Sequence, residues 1–378
     1  MSCDFYQLSH PGIQSLQPYI PGKSIESLAR EKGLTEIIKL ASNENPLGCS
    51  SLVCDALAAF SKHQLAGYPA PLHHPLHAKL SSTLSVHEDC LTLGNGSDLL
   101  FFFLLTAFAL HTGKHILTHE LAFLSYAVQA QTLGIPVIKT PIRSNWEVDI
   151  DAMIQACTEE TAIIFLANPN NPTGLLIPPK EIERLVNHIP ESTLLVLDEA
   201  YYEFAYAKDD NSSLLLWATH PNLVITRTFS KAYGLAGLRL GYAIAHPAIT
   251  DLLRRVQPPF VVNQASLLAA YTALDDLQFI DQTLVLTRDG LAQLRKGLDA
   301  LHVSYLPSHC NFITIHCPVK AELIYGYLLE EGIIVRPLTQ YGLSNHLRIS
   351  VGTARQNAQF LDKLAMCLAQ QPKEFETE

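Results

Sequence analysis

Thr226-Arg227-Thr228-Phe229-Ser230-Lys231-Ala232-Tyr233-Gly234-Leu235-Ala236-Gly237-Leu238-Arg239-Leu240-Gly241 is a polar, glycine-punctuated stretch set between two apolar runs, Leu223 to Ile225 before it and Leu240 to Ala245 after it. The two runs predict buried strands with a turn between them. A lysine in such a turn has two readings. It can be a solvated surface charge beside Arg239. Alternatively, the hydroxyls of Thr228 and Ser230 and the Arg239 guanidinium grip an anion while Lys231 holds an amine beside it.

The chain around this stretch has 378 residues, more than one ordinary core, so about two domains or a large and a small lobe are expected. With 48% hydrophobic and 16% charged residues it reads as globular and core-rich. A net charge of −10 without any Lys/Arg-rich block argues against nucleic acid as a partner. The eight cysteines are scattered without a Cys-x-x-Cys pair, and the sixteen histidines show no metal-ligand grouping, so no metal site is expected. The polar Met1 to Gly12 segment carries Asp4 and does not read as an export signal, which points to reduced thiols in a cytoplasm. The longest apolar run, Leu99 to Leu110, is shorter than the ~20 residues that span a bilayer and reads as a buried helix.

Upstream, residues Met1 to Gly33 read as an extended arm with turns at His10-Pro11-Gly12 and Ile20-Pro21-Gly22, then a short helix from Ser24 to Lys32. A short strand, Ile37 to Leu40, runs into the polar loop Ser42-Asn43-Glu44-Asn45-Pro46. Gly67-Tyr68-Pro69 is a proline-fixed turn presenting one aromatic. Gly94-Asn95-Gly96-Ser97-Asp98 leads into the apolar helix, and such a turn offers either an anion site at a helix N-terminus or an ordinary cap. Apolar runs then alternate with helix-like stretches, which predicts βα units and a mainly parallel sheet. Phe123 sits at a helix start. Asn168 to Gly174 follows the run Thr161 to Ala167, at a strand's carboxyl end, where open α/β sheets bind ligands. Asp198 closes the run Thr193 to Leu197, and a carboxylate there needs a cation unless it caps the next segment. Gln257-Pro258-Pro259-Phe260 is a breaker that ends the large domain, and the remainder reads as an α+β lobe. In that lobe Arg336 and Arg348 lie on apolar strands, where each calls for an oxyanion or an internal ion pair.

The Thr226 to Gly241 stretch closely resembles the cofactor-lysine segment of the aspartate-aminotransferase-like, fold type I family of pyridoxal-phosphate enzymes. The Gly96, Asn171, Asp198–Tyr201 and Arg348 motifs follow in that family's order, from about Pro18 to Gly352. The resemblance implies an α/β fold: a large domain with a mainly parallel sheet of the seven-stranded type flanked by helices, plus a smaller α+β domain. The expected domains are an arm with part of the small domain over 1–33, a cofactor-binding domain over 34–262 and a small domain over 263–378. Lys231 is then the residue that bonds the pyridoxal 5'-phosphate aldehyde and moves protons, with Asp198 facing the ring nitrogen and Asn171 and Tyr201 the ring oxygen. Phe123 is implied to stack on the ring. Gly96, Ser97, Asp98, Thr228, Ser230 and Arg239 are implied to hold the phosphate, joined by Tyr68 from the second subunit of a homodimer.

Within the family, the Tyr19 and Asn45 segments, Tyr68, Arg336 and Arg348 resemble the histidinol-phosphate branch. That implies transamination between L-histidinol phosphate and 2-oxoglutarate in histidine biosynthesis, with Tyr19, Asn45, Arg336 and Arg348 binding substrate. Phe123 stands where tyrosine is frequent, and Leu99-Leu100-Phe101 follows Asp98 where an acidic residue is common. An aromatic-amino-acid aminotransferase and a threonine-phosphate decarboxylase are alternatives on the same fold. A non-catalytic effector-sensing module is a further alternative, disfavoured because a family match beginning near Pro18 leaves no room for a DNA-binding domain.

Overall fold

The structure is a computed structural model and describes residues 4–16, 22–70, 72, 74–207 and 210–370. It forms two compact units, Met1–Pro18 with Gly48–Asn171 and Leu175–Ile280, and Tyr19–Leu47 with Pro172–Gly174 and Asp281–Glu378.

Strand β1 (Ile38–Lys39) belongs to the second unit, and the next seven build the first. They are β2 (Leu91–Gly94), β3 (His115–His119), β4 (Val137–Thr140), β5 (Thr161–Ala167), β6 (Leu194–Asp198), β7 (Leu223–Thr228) and β8 (Gly241–Ile244). Their order in one sheet is β2-β8-β7-β6-β5-β3-β4. All run parallel except β8, which is antiparallel to both β2 and β7. The reversal has a local cause. Parallel neighbours need a crossover of a dozen residues or more, usually a helix, whereas only the short turn Ala236–Leu238 is helical between β7 and β8.

Strands covered on both faces read as unbroken apolar runs, and the two-residue period sorts their side chains into two cores. Leu195, Leu197, Leu223 and Ile225 join one core, with helices Pro179–His188 and Gln264–Ala273. Leu194, Val196, Val224 and Ala243 join the other, with helices Ser97–Phe108 and Leu124–Thr132. By that alternation Asp198 lies on the second face with Leu194 and Val196.

In the second unit β1 pairs in parallel with β10 (Ile333–Ile334). Strands β9 (Phe312–His316), β11 (Arg336–Leu338) and β12 (Leu343–Ser350) form an antiparallel sheet in the order β11-β12-β9. Ile313, Ile315, Leu347 and Ile349 pack there with Leu294, Ile324 and Phe360 from helices Leu277–Ala300, Ala321–Glu330 and Ala354–Gln370.

The observed units divide the chain differently from the sequence expectation. Helix Gln264–Ala273 follows the Pro258-Pro259 breaker yet buries Leu267, Ala269, Ala270 and Ala273 in the first unit's core, so the division falls at Ile280. Residues 34–47 go with the second unit because β1 pairs with β10 and Leu40 and Ala41 are buried there. At the N-terminus, His10-Pro11-Gly12 is a helix start and not a plain turn. His10 Nδ1 accepts from the Gly12 N–H at 3.0 Å, and Pro11 takes the first position of helix Pro11–Gln14, where its missing N–H costs nothing.

Candidate active site

Six parallel strands of the first unit end at one edge of the sheet, and the loops leaving that edge carry the residues singled out in the sequence. Gly96 follows β2, Phe123 follows β3, Asn171 follows β5, Asp198 closes β6, and Ser230 and Lys231 follow β7. Arg239 reaches the same edge by preceding β8, because the reversed strand starts where its neighbours finish: Gly241 is paired with both Gly94 and Thr228.

Asp198 is 5% exposed. The Tyr126 hydroxyl donates to its Oδ2 at 2.6 Å, and the Ala200 N–H and Thr226 hydroxyl donate to Oδ1 at 3.2 and 3.4 Å. Burial pushes the Asp198 carboxyl up to about 6, and Asp98 nearby adds to this, while the three donors hold it down. Tyr126 is itself fixed by rings, stacked on Phe165 at 4.9 Å and edge-on to Phe101 and Phe123 at 5.0 and 5.6 Å. Asn171 Nδ2 donates to the Tyr201 hydroxyl at 3.4 Å, and Lys231 Nζ lies 5.8 Å from the centre of the Tyr201 ring.

A cluster of hydrogen-bond donors adjoins this group. Helix Ser97–Phe108 begins at Gly96 with no side-chain cap on its first turn, which leaves an apolar helix pointing its N–H groups and positive dipole end outward. Arg239 Nη1 donates to Ser230 Oγ at 3.4 Å, and Thr228 Oγ1 accepts from the Ser230 N–H at 3.1 Å. Two glycines make the approach possible. Gly96 has φ +76°, and a Cβ on it would stand 2.5 Å from Arg239 Nη2. A Cβ on Gly241 would stand 2.3 Å from the Ser97 nitrogen. The Asp98 carboxylate is taken by the Ser125 hydroxyl, so this acid turns back to the neighbouring helix. Tyr68 turns elsewhere: 79% exposed, it stacks on Phe260 at 4.4 Å.

The second unit carries the other candidates. Arg336 on β11 stands directly opposite Arg348 on β12. Arg336 donates to Gln340 at 2.9 Å, while Arg348, 9% exposed, donates to the Ala41 carbonyl at 2.9 Å with its guanidinium 5.3 Å from the Phe312 ring. The polar loop after β1 is bound to β12: Asn43 receives Ser350 Oγ on its side chain at 3.0 Å and gives its N–H to the same oxygen at 2.8 Å. Asn45 Nδ2 donates to Thr283 at 2.9 Å. Tyr19 lies outside the described residues.

Sequence reasoning missed two features. Tyr126 was one, its only signal being its place three residues after Phe123, one helical turn on. The other is the pair Glu199–Arg227, at 2.8 Å with side chains 0% and 5% exposed. It lies one residue along β6 and β7 from Asp198 and Thr226, hence on the opposite face, and Arg227 also covers the Tyr202 ring at 3.5 Å. The pair clamps the two central strands beneath the site.

A family model for aminotransferase class I and II matches residues 35–364. A protein named histidinol-phosphate aminotransferase 2 from Legionella pneumophila (strain Lens) is 57% identical over 364 residues, which is 96% of this chain and 99% of that protein. Its namesake from Pseudomonas fluorescens is 42% identical over 373 residues, 98% and 100% of the two chains. The solved structure of histidinol-phosphate aminotransferase from Sinorhizobium meliloti, in complex with pyridoxal-5'-phosphate, superposes with a TM-score of 0.86 at 26% identity. It covers 95% of this chain and 97% of its own. With the family model spanning most of its length and a mainly parallel sheet carrying the motif residues at one edge, the chain belongs to the class I and II aminotransferases.

Proposed function

We propose that the chain transfers an amino group between L-histidinol phosphate and 2-oxoglutarate, with pyridoxal 5'-phosphate as cofactor. The observation that carries the substrate reading is the register of β11 and β12. Like charges set directly opposite across two strands are destabilising, so two guanidiniums at Arg336 and Arg348 favour a bound anion. One substrate offers a phosphate and the other a carboxylate, and the same pair serves each in its half-reaction.

The residues fit the cofactor. The uncapped helix start at Gly96, Ser97 and Asp98, the hydroxyls of Thr228 and Ser230 and the Arg239 guanidinium form a donor set for its phosphate. Asp198, a carboxyl that burial drives towards its neutral form, suits a cationic ring nitrogen. Asn171 and Tyr201, already in contact, are the donors for the ring oxygen, and Phe123 offers a face for the ring. Pyridoxal phosphate, when bound, supplies an aldehyde for the substrate amine and a ring that draws electrons from the breaking bond. Lys231 would be the residue to hold that aldehyde, and its Nζ, when free, would take the proton from the amine-bearing carbon of the substrate. The Asp198 carboxylate would accept the hydrogen bond of the protonated ring nitrogen and so favour its cationic form. Release of one product before the second substrate enters gives ping-pong kinetics.

Exposure of Tyr68 supports a homodimer in which Tyr68 of the partner subunit completes each phosphate site. Among the described residues no helix is long and apolar enough to cross a membrane, and the cysteines are free thiols, which supports a cytoplasmic enzyme. With 2-oxoglutarate as acceptor, purified protein is expected to turn over histidinol phosphate faster than phenylalanine. A phenylalanine rate well above the histidinol phosphate rate overturns the substrate reading. A visible band on adding pyridoxal phosphate, lost in Lys231→Ala, tests the cofactor reading separately.

A further inference from the structure

Cys49 and Cys54 stand with their sulfurs 3.6 Å apart, thiol against thiol, at the entry to helix Ser51–Ala58. We propose that they form a reversible disulfide, and that closing it disturbs the turn that carries Lys231. A disulfide bond is ~2.05 Å long, so the two sulfurs must approach by roughly a further 1.6 Å. Cys54 is exposed on the first turns of the helix, whereas Cys49 is partly covered and packs against the first unit's core.

The backbone at Cys49 has little room to follow its sulfur. A Cβ on Gly234 would lie 1.9 Å from the Gly48 carbonyl oxygen and 3.1 Å from the Cys49 Cα, so the Gly48–Cys49 peptide lies directly on Gly234. Gly234 in turn donates its N–H to the Lys231 carbonyl at 3.1 Å. On the other side Ser50 caps the helix by accepting from the Leu52 N–H at 3.1 Å, and its hydroxyl is anchored to Asp276. Close-packed backbone transmits displacement because it has no void to absorb it. Movement of Cys49 towards Cys54 is therefore felt at Gly234 and in the turn closed by Lys231.

The chemistry needs an oxidant, for which a low-molecular-weight disulfide such as oxidised glutathione suffices. The Cys54 thiolate attacks one sulfur of that disulfide and expels the first glutathione thiolate. The Cys49 thiolate then attacks Cys54 Sγ in the mixed disulfide and expels the second. Both cysteine protons pass to solvent or to the leaving thiolates, and two electrons move from the protein to glutathione. Burial, and then the neighbouring Cys54, push the Cys49 thiol up, so it holds less thiolate than an unperturbed cysteine, and it is the nearness of its sulfur to Cys54 that fits it to the second step. With the Cys54 sulfur on the exposed side, such a disulfide is open to attack by an external thiolate and can be reduced again.

The test incubates cofactor-loaded protein with oxidised glutathione and follows turnover together with the tryptic fragment from Leu40 to Lys62, which holds both cysteines. The fragment is expected to lose two hydrogens in step with a loss of turnover, and dithiothreitol should restore both. The Cys49→Ser and Cys54→Ser variants, each with the untreated turnover of the parent, should keep that turnover under the oxidant, Cys54→Ser with its fragment unchanged and Cys49→Ser with at most a glutathione adduct on Cys54. A fragment of unchanged mass, or one carrying only a glutathione adduct, overturns the disulfide. A disulfide formed without loss of turnover overturns the link to Lys231. Neither outcome touches the substrate comparison between histidinol phosphate and phenylalanine.

Discussion

Asp198 shows how a residue can work against the fold that holds it. Its carboxyl rises to about 6 in the folded chain, largely through burial, against ~3.9 for an unperturbed aspartate. A raised folded value means that the group's favourable contribution is complete below the unfolded value and is lost as pH rises through about 6. At neutral pH the cofactor-free protein therefore carries a charge that costs about 2–3 kcal/mol. Asp198→Asn removes that charge and keeps an oxygen to accept from Tyr126. The variant is expected to melt higher than the parent at about pH 8 without cofactor, the gap closing towards about pH 4, while turnover with cofactor falls on the order of a hundredfold or more. Scanning calorimetry across pH, beside steady-state rates, checks both halves. An Asn variant less stable than the parent at every pH would contradict the assignment. The need for a partner at Asp198 was legible in the sequence, because a lone acid ends a strand of leucines. The partner the fold provides was not, since Tyr126 lies 72 residues away and meets it only through helix packing.

At the scale of elements, the joint between helix Ser97–Phe108 and β8 is built on glycines with unequal tolerance. A methyl at Gly96 meets the movable end of Arg239, whereas one at Gly241 meets the Ser97 nitrogen at 2.3 Å and the Arg227 carbonyl oxygen at 2.9 Å, both backbone. Gly241→Ala is expected to cost about 3 kcal/mol or more of stability. Gly96→Ala, strained by its positive φ, should cost about 1 kcal/mol but loosen cofactor binding by displacing Arg239. Denaturant unfolding and cofactor titration separate the two, and equal stability losses would sink the distinction. Helix starts hold a second device. His74 caps helix Pro75–Leu84 by accepting from the Leu76 N–H at 3.1 Å, and burial lowers its pKa. A depressed value means that the cap is intact above the unfolded pKa and fails as pH falls through the folded one. Protonation removes the acceptor and sets a cation at the positive end of the helix. His74→Asn, a cap that does not titrate, should flatten the acid side of the stability profile, which urea midpoints between about pH 7 and pH 5 would reveal. In the sequence His74 is one of two histidines before Pro75, with nothing to mark it as a cap. The alternation of strand and helix was legible because doubly covered strands are apolar throughout. The direction of β8 was not, as it depends on a turn too short to cross the sheet.

For the whole molecule, the division into two units ran against the sequence because Pro258-Pro259 looked like a stronger boundary than the packing of helix Gln264–Ala273 makes it. The proposed dimer makes a quantitative prediction. If Tyr68 serves the other subunit's site, Lys231→Ala and Tyr68→Ala proteins, each inactive or weak, should recover activity when unfolded and refolded together. Statistical pairing in a two-fold dimer places one intact site in half of the molecules, or about a quarter of the parental activity. Native mass spectrometry, which separates the mixed dimer from the two parental ones by mass, confirms the pairing, and no recovery from a verified mixed dimer would place Tyr68 outside the partner's site.

The antiparallel insertion of β8 also has a consequence for synthesis. A ribosome delivers β2 to β7 before Gly241 emerges, yet β2 joins the sheet solely by way of β8. Until that strand slides between β2 and β7, two sheet edges stay open, and Gly96 and Arg239 have not met. In a nascent chain stalled before Gly241 the proposed phosphate site is thus unassembled. Cofactor capture then reports the insertion of β8, and a supply of cofactor protects finished chains more than growing ones.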